Sequence, residues 1–228
     1  MHEFTHHENW FDKKYYAPMA MRFATFKTAM NLFTARKGTT VVETGCMRGV
    51  GDFGAGCSSM LFCEYLSRYG GHLYTVDINP KNIATCNAAT EQWAPYRTCT
   101  VDDSVHYLEN LSPDIVVDFL YLDSFDYPYG DLLNIYGGRT DITAAAKALQ
   151  DLGDAEIVRR HGELIDPCQQ HCLRELEAAW PHLHASTIIL IDDASLPGGG
   201  KPRLALDYLA KEGWICLLDL QQTLWISG

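Results

Sequence analysis

Between residues 10 and 36 the apolar positions keep a helical period. Phe23, Phe26, Met30 and Phe33 recur at spacings of three and four, the signature of one buried helix face. Pro18 lies ahead of them and predicts a helix start or a break, because its ring removes a backbone donor. The period then changes. Thr39-Thr40-Val41-Val42 is a short β-branched run that predicts a strand ending at Glu43, and a glycine-rich loop leads from it into a helix from about Ser58 to Tyr69. The alternation repeats. A strand over His72 to Val76 ends at Asp77, and Pro80 opens a helix to about Trp93. A third strand runs from Tyr96 to Val101, and Asp102-Asp103-Ser104 caps the next helix. The apolar run from Ile115 to Leu122 predicts a fourth strand buried on both faces.

The rhythm lapses over 124–165, where Tyr, Gly, Asp and Arg show weaker periodicity. This predicts an insertion with a helix near Thr143 to Leu152, followed by a helix from Pro167 to about Trp180. Ile188 to Ile191 is a fifth strand ending at Asp192-Asp193. Gly198-Gly199-Gly200 reads as a turn and Leu204 to Lys211 as a helix, and Trp214 to Leu218 with Thr223 to Ile226 reads as a closing hairpin. Strands alternating with helices predict an α/β fold. It is a Rossmann-like, mostly parallel seven-stranded sheet with helices on both faces, its antiparallel last strand at the edge. The expected division is an N-terminal helical extension or lid over 1–38 and one domain over 39–228, with the insertion at 124–166.

Composition narrows the class. The 228 residues suit one decorated α/β domain. The net charge of −11, with no Lys/Arg stripe, argues against a protein that tracks a nucleic-acid backbone. The eight cysteines form no C-x-x-C pair and most sit in apolar runs, as reduced thiols do in the cytoplasm. The first residues have no basic and apolar signal-peptide pattern, and no apolar run reaches membrane-span length. These features predict a cytoplasmic protein with no membrane partner.

The candidate chemistry lies at the strand ends. Open parallel sheets bind ligands outside the carboxyl ends of their strands, and five successive ends here carry carboxylates: Glu43, Asp77, Asp102-Asp103, Asp123 and Asp192-Asp193. Such an edge suits a cationic ligand, a polyhydroxyl ligand or a metal. Gly49-Val50-Gly51-Asp52-Phe53-Gly54 also spells G-x-G-x-x-G, with Asp77 near the dinucleotide-binding distance, so an NAD-dependent oxidoreductase is a rival reading. Two features disfavour it. Glu43 to Arg48 separates the motif from its strand, and a carboxylate sits poorly beside a pyrophosphate at a helix N-terminus.

The stretch Val41-Val42-Glu43-Thr44-Gly45 through Gly54-Ala55-Gly56-Cys57-Ser58-Ser59 resembles motif I of the class I methyltransferases that use S-adenosylmethionine (SAM). Val76-Asp77-Ile78 resembles the acidic position that holds the ribose hydroxyls, Asp103-Ser104 the step that meets the adenine edge, and Tyr121-Leu122-Asp123-Ser124 the strand-four motif. The likeness spans about Val41 to the C-terminus, with Met47 to Phe53 as an extra bulge. It implies a SAM site built from Glu43, Gly45, Cys46, Arg48, Gly56, Ser58, Ser59, Asp77, Ile78, Asp103, Ser104 and Asp123. Arg48 could hold the SAM carboxylate or pin the longer loop. Asp123 with Asp192 and Asp193 resembles the divalent-cation triad of O-methyltransferases of the catechol and macrocin types, which implies Mg²⁺ or another divalent cation. The alternative is that the Asp pair caps a turn. Asp123 and His171 are the candidate catalytic residues, and His171 is placed one helical turn from Glu175. The expected activity is O-methylation of a small hydroxylated metabolite. N-methylation and modification of a macromolecule stay open, as does a homodimer through the N-terminal helix.

Overall fold

The fold is a computed structural model that describes residues 4–51, 53, 57–128, 130–132 and 155–228. The aromatic stripe near the N-terminus forms two helices, α1 (Phe4–Met19) and α2 (Phe23–Ala35), separated by a 3₁₀ turn at Ala20–Arg22. Pro18 falls just before this break, and Ala20 takes a positive φ of 45° within it. Strand β1 (Thr40–Thr44) follows, then α3 (Ser58–Tyr69), β2 (His72–Asp77), α4 (Pro80–Ala89), β3 (Arg97–Val101), α5 (Ser104–Glu109) and β4 (Val117–Leu122). The expected helix to Trp93 ends earlier, at Ala89, and continues as a 3₁₀ turn over Glu91–Tyr96 that contains Pro95.

Further along the described residues, α6 (Ala155–Ala179) leads to β5 (Leu183–Ile191), α7 (Arg203–Lys211), β6 (Trp214–Asp219) and β7 (Thr223–Ser227). The sequence places the start of α6 at Pro167, but the helix begins twelve residues earlier and runs through the proline. His161, Ile165, Cys168, Cys172, Leu176 and Ala179 are all buried and form one continuous stripe, so packing outweighs the one lost hydrogen bond. The helix expected near Thr143 to Leu152 lies outside the described residues.

The seven strands are ordered β3-β2-β1-β4-β5-β7-β6. The first five are mutually parallel, and β7 runs antiparallel to both of its neighbours. The antiparallel strand is therefore not at the edge. The short β6–β7 connection makes those two strands antiparallel, and β7 slots between β5 and β6. Strand alternation divides the core. Phe119 and Tyr121 face Phe26, Phe33 and Phe62 of the α2–α3 layer, while Leu120 and Leu122 face Leu176 and Leu209 of the α6–α7 layer. Helix α1 is tied to α3 at Glu64, which accepts from Lys14, from the Tyr15 hydroxyl at 2.6 Å and from Arg68 at 2.8 Å.

Candidate active site

At the carboxyl end of the sheet, β1 turns sharply at Gly45. Its N–H donates to the Val76 carbonyl at 2.8 Å, its φ is +77°, and a Cβ here would lie 2.4 Å from the Asp123 carbonyl oxygen. Only glycine tolerates both the left-handed turn and this approach to β4. The turn opens a cavity of about 550 Å³ lined by Gly45, Cys46, Arg48, Val76, Asp77, Ile78, Asn79, Asn82, Asp103, Ser104, Asp123, Ser124, Phe125, Asp126, His171 and Arg174. Nine of the residues expected at a site from the sequence meet in it: Gly45, Cys46, Arg48, Asp77, Ile78, Asp103, Ser104, Asp123 and His171.

Asp77 is held by its surroundings. One carboxylate oxygen accepts from the Asn79 N–H at 2.7 Å, the other from the Cys46 N–H at 3.2 Å, and the Asn82 amide donates to both. Asp103 caps α5 by accepting from the His106 N–H at 3.1 Å, which places Ser104 on the cavity wall. Ser104 meets the His171 Nε2 at 2.9 Å, the Ser124 hydroxyl donates to Glu175 at 2.5 Å, and the Phe125 ring packs 5.0 Å from the imidazole. His171 therefore belongs to a buried wall joining α5, the β4 end and α6. Arg48 pairs with Asp126 across the loops after β1 and β4, the pinning contact of the two roles considered for it.

Several expected residues do not reach the cavity. Glu43 shares the β1 face of Val41 and is fully buried against α3, where it accepts from the Ser59 and Thr75 hydroxyls at 2.6 Å each. Burial pushes its carboxyl up to about 7, against those hydroxyls. Ser59 also accepts from the Met47 N–H at 3.1 Å, so Glu43 and Ser59 brace the loop from beneath. Ser58 is buried at the start of α3 and is likewise absent from the lining. Gly56 lies outside the described residues.

Asp192 and Asp193 stand apart from the cavity, beside Asp123. Arg22 donates to both oxygens of Asp192, at 3.1 and 2.9 Å, and the Tyr121 hydroxyl reaches the same carboxylate at 2.8 Å. The Lys201 ammonium lies 2.9 Å from Asp123 Oδ1 and 3.0 Å from Asp193 Oδ2. Burial pulls the Lys201 pKa down, but Asp123, Asp193 and Asp192 outweigh it and raise the pKa. Burial also pushes Asp123 up to about 7, opposed by Lys201 and reinforced by Asp192 and Asp193.

Residues 53–136 match the family described as a methyltransferase domain. Among solved structures, the SAH-bound methyltransferase PaMTH1 of Podospora anserina matches with a TM-score of 0.51 at 14% identity, over 98% of this chain and 87% of that one. CalS11, a TDP-rhamnose 3'-O-methyltransferase of calicheamicin biosynthesis, matches with a TM-score of 0.56 at 10% identity, over 91% and 80%. An O-methyltransferase from Bacillus cereus in complex with SAH matches at 0.50 and 12%, over 90% and 81%. No curated protein matches in sequence. The chain has the fold of these methyltransferases, and its match to the family spans residues 53–136.

The expected divalent-cation triad does not fit the side chains of Asp123, Asp192 and Asp193. A hard cation needs free oxygen ligands close on every side. Here the facing oxygens of Asp123 and Asp193 already share an ammonium, and both oxygens of Asp192 take a guanidinium. Among the described residues, no group of three or more His, Cys, Asp or Glu side chains could hold a metal ion. Sequence reasoning missed Asn79, Asn82, Phe125 and Arg174 on the cavity wall, and Lys201 and Arg22 beside it. Arg174 was within reach, lying three residues from His171 on the same helix. Phe125, at a φ of +52°, carries no such signal.

Proposed function

We propose that this protein is a class I SAM-dependent methyltransferase that transfers the methyl group to a hydroxyl oxygen of a small molecule, in the cytoplasm. The observation that carries the reading is the Asp123 carboxylate on the cavity wall, at the point where the ends of β1 and β4 meet. A carboxylate there can accept the proton of an acceptor hydroxyl. In this reading the ribose hydroxyls bind Asp77, whose two oxygens match a vicinal diol. Ile78, Asp103 and Ser104 would hold the adenine, and Gly45 and Cys46 the methionine part. His171 positions Ser104 and closes the wall. The acidic lining suits a ligand bearing a sulfonium and an ammonium.

The acceptor oxygen donates a lone pair to the methyl carbon. The carbon–sulfur bond breaks with its electron pair going to sulfur, and the hydroxyl proton passes to Asp123. The products are a methyl ether and SAH. Such an in-line displacement depends above all on alignment of the two reactants. In this reading the N-terminal helices frame the acceptor side. Arg22, in the turn between α1 and α2, brings the extension against the β5 end.

The reading is tested by incubating the enzyme with SAM and panels of hydroxylated and amine-bearing small molecules, following SAH release and locating the new methyl group. Transfer to oxygen is expected. Asp123→Asn should lower kcat by about a hundredfold or more while SAM still binds. Transfer confined to amines, or full activity in Asp123→Asn, would refute it.

A further inference from the structure

We infer that Lys201 is a built-in cation that occupies the position of a bridging divalent metal, so that this protein works without a metal ion. The inference deepens the proposed reading of the same site, and its test reads metal binding separately from SAM binding.

Four observations support it. The ammonium bridges carboxylates from the ends of two neighbouring strands, Asp123 after β4 and Asp193 after β5, which is the geometry a shared cation adopts. Lys201 is only 3% exposed, so its charge is committed to the interior rather than straying in from solvent. Its three N–H groups are matched by three acceptors, the third being the Ser124 carbonyl at 3.3 Å. It therefore has no donor left for a substrate and acts as a positioning residue, holding Asp123 in place.

The backbone is also shaped to deliver it. Gly198, Gly199 and Gly200 all take positive φ, and a Cβ on Gly200 would lie 1.8 Å from the Asp193 carbonyl oxygen. The buried Gln169 amide clamps this turn onto α6 by donating to the carbonyls of Gly198 and Gly200, at 3.1 and 2.9 Å. Asp193 itself sits at a φ of +60°. A strained backbone persists only where its surroundings hold it, and what this one accomplishes is to carry Lys201 inward against Asp193. Removing the ammonium would leave the half-buried carboxylates of Asp123 and Asp193 without their counter-ion, a costly state that an external cation could relieve.

The test is a titration of the full chain with Mn²⁺, read by electron paramagnetic resonance and by calorimetry. Wild type is expected to hold no stoichiometric Mn²⁺ and to bind SAM equally well in excess chelator. Lys201→Met should acquire one Mn²⁺ per chain, at least about tenfold tighter than wild type. Adding Asp193→Asn to that variant should abolish the new site, and Lys201→Arg should not create one. One Mn²⁺ bound by wild type and lost in Asp193→Asn would overturn the inference, as would a folded Lys201→Met that gains no site. Should Lys201→Met fail to fold, the wild-type titration decides alone. Failure of SAM to bind at all would instead strike the cofactor reading and leave the metal result intact.

Discussion

Glu43 and Asp77 end adjacent strands and look alike in the sequence, yet they face different media. Asp77 opens on the cavity, while Glu43 is sealed beneath it with a carboxyl raised to about 7. Its ordinary value of 4.5 describes the unfolded chain. Between 4.5 and 7 the folded state therefore binds more protons than the unfolded one, and stability falls as pH rises through that window. The loss is on the order of 3 kcal/mol across the window and levels off above it. Denaturant unfolding at pH 5.5 and pH 8 should register this contribution in wild type and lose it in Glu43→Gln. Equal pH slopes in the two proteins would contradict it. The strand-end carboxylates were legible in the sequence because acidic residues closing apolar runs are easy to count. Their direction was not, because it depends on which sheet face each strand presents. The partners of Asp192 and Asp123 were illegible for a different reason. Arg22 and Lys201 lie 170 and 78 residues away from them, and no local pattern joins such positions.

At the scale of elements, the strands and the helices flanking them follow their apolar periods closely, and α3 covers the expected span. The long α6 does not, because the sequence reading stopped it at a proline. Pro167 is exposed, and it sits inside a helix whose buried stripe continues on both sides. A proline there removes a hydrogen bond and crowds the preceding turn, so Pro167→Ala should stabilise the protein by about 2 kcal/mol, less than the full helix-interior penalty because the unfolded chain also gains freedom. Thermal unfolding would register this as a melting point higher by several degrees. An unchanged or lower melting point would contradict it. The placement of β7 between β5 and β6 was likewise beyond the pattern, since periodicity predicts a hairpin but not which of its strands docks on the sheet.

At the scale of the whole molecule, one sheet edge divides into two regions. On one side of Asp123 an open cavity runs past Asp77 and Asp103. On the other side, the buried Lys201 and the half-buried Arg22 neutralise most of the charge of Asp123, Asp192 and Asp193. Asp123 belongs to both regions, which is why the proposed function has cofactor and acceptor converge on it. The central claim is that the cavity receives SAM with its ribose on Asp77. Isothermal titration of SAM and SAH, in chelator, into wild type and Asp77→Ala tests it most directly. The account predicts one site per chain in wild type and binding at least about tenfold weaker in Asp77→Ala. Equal affinity in both proteins, or no binding by wild type, would contradict it.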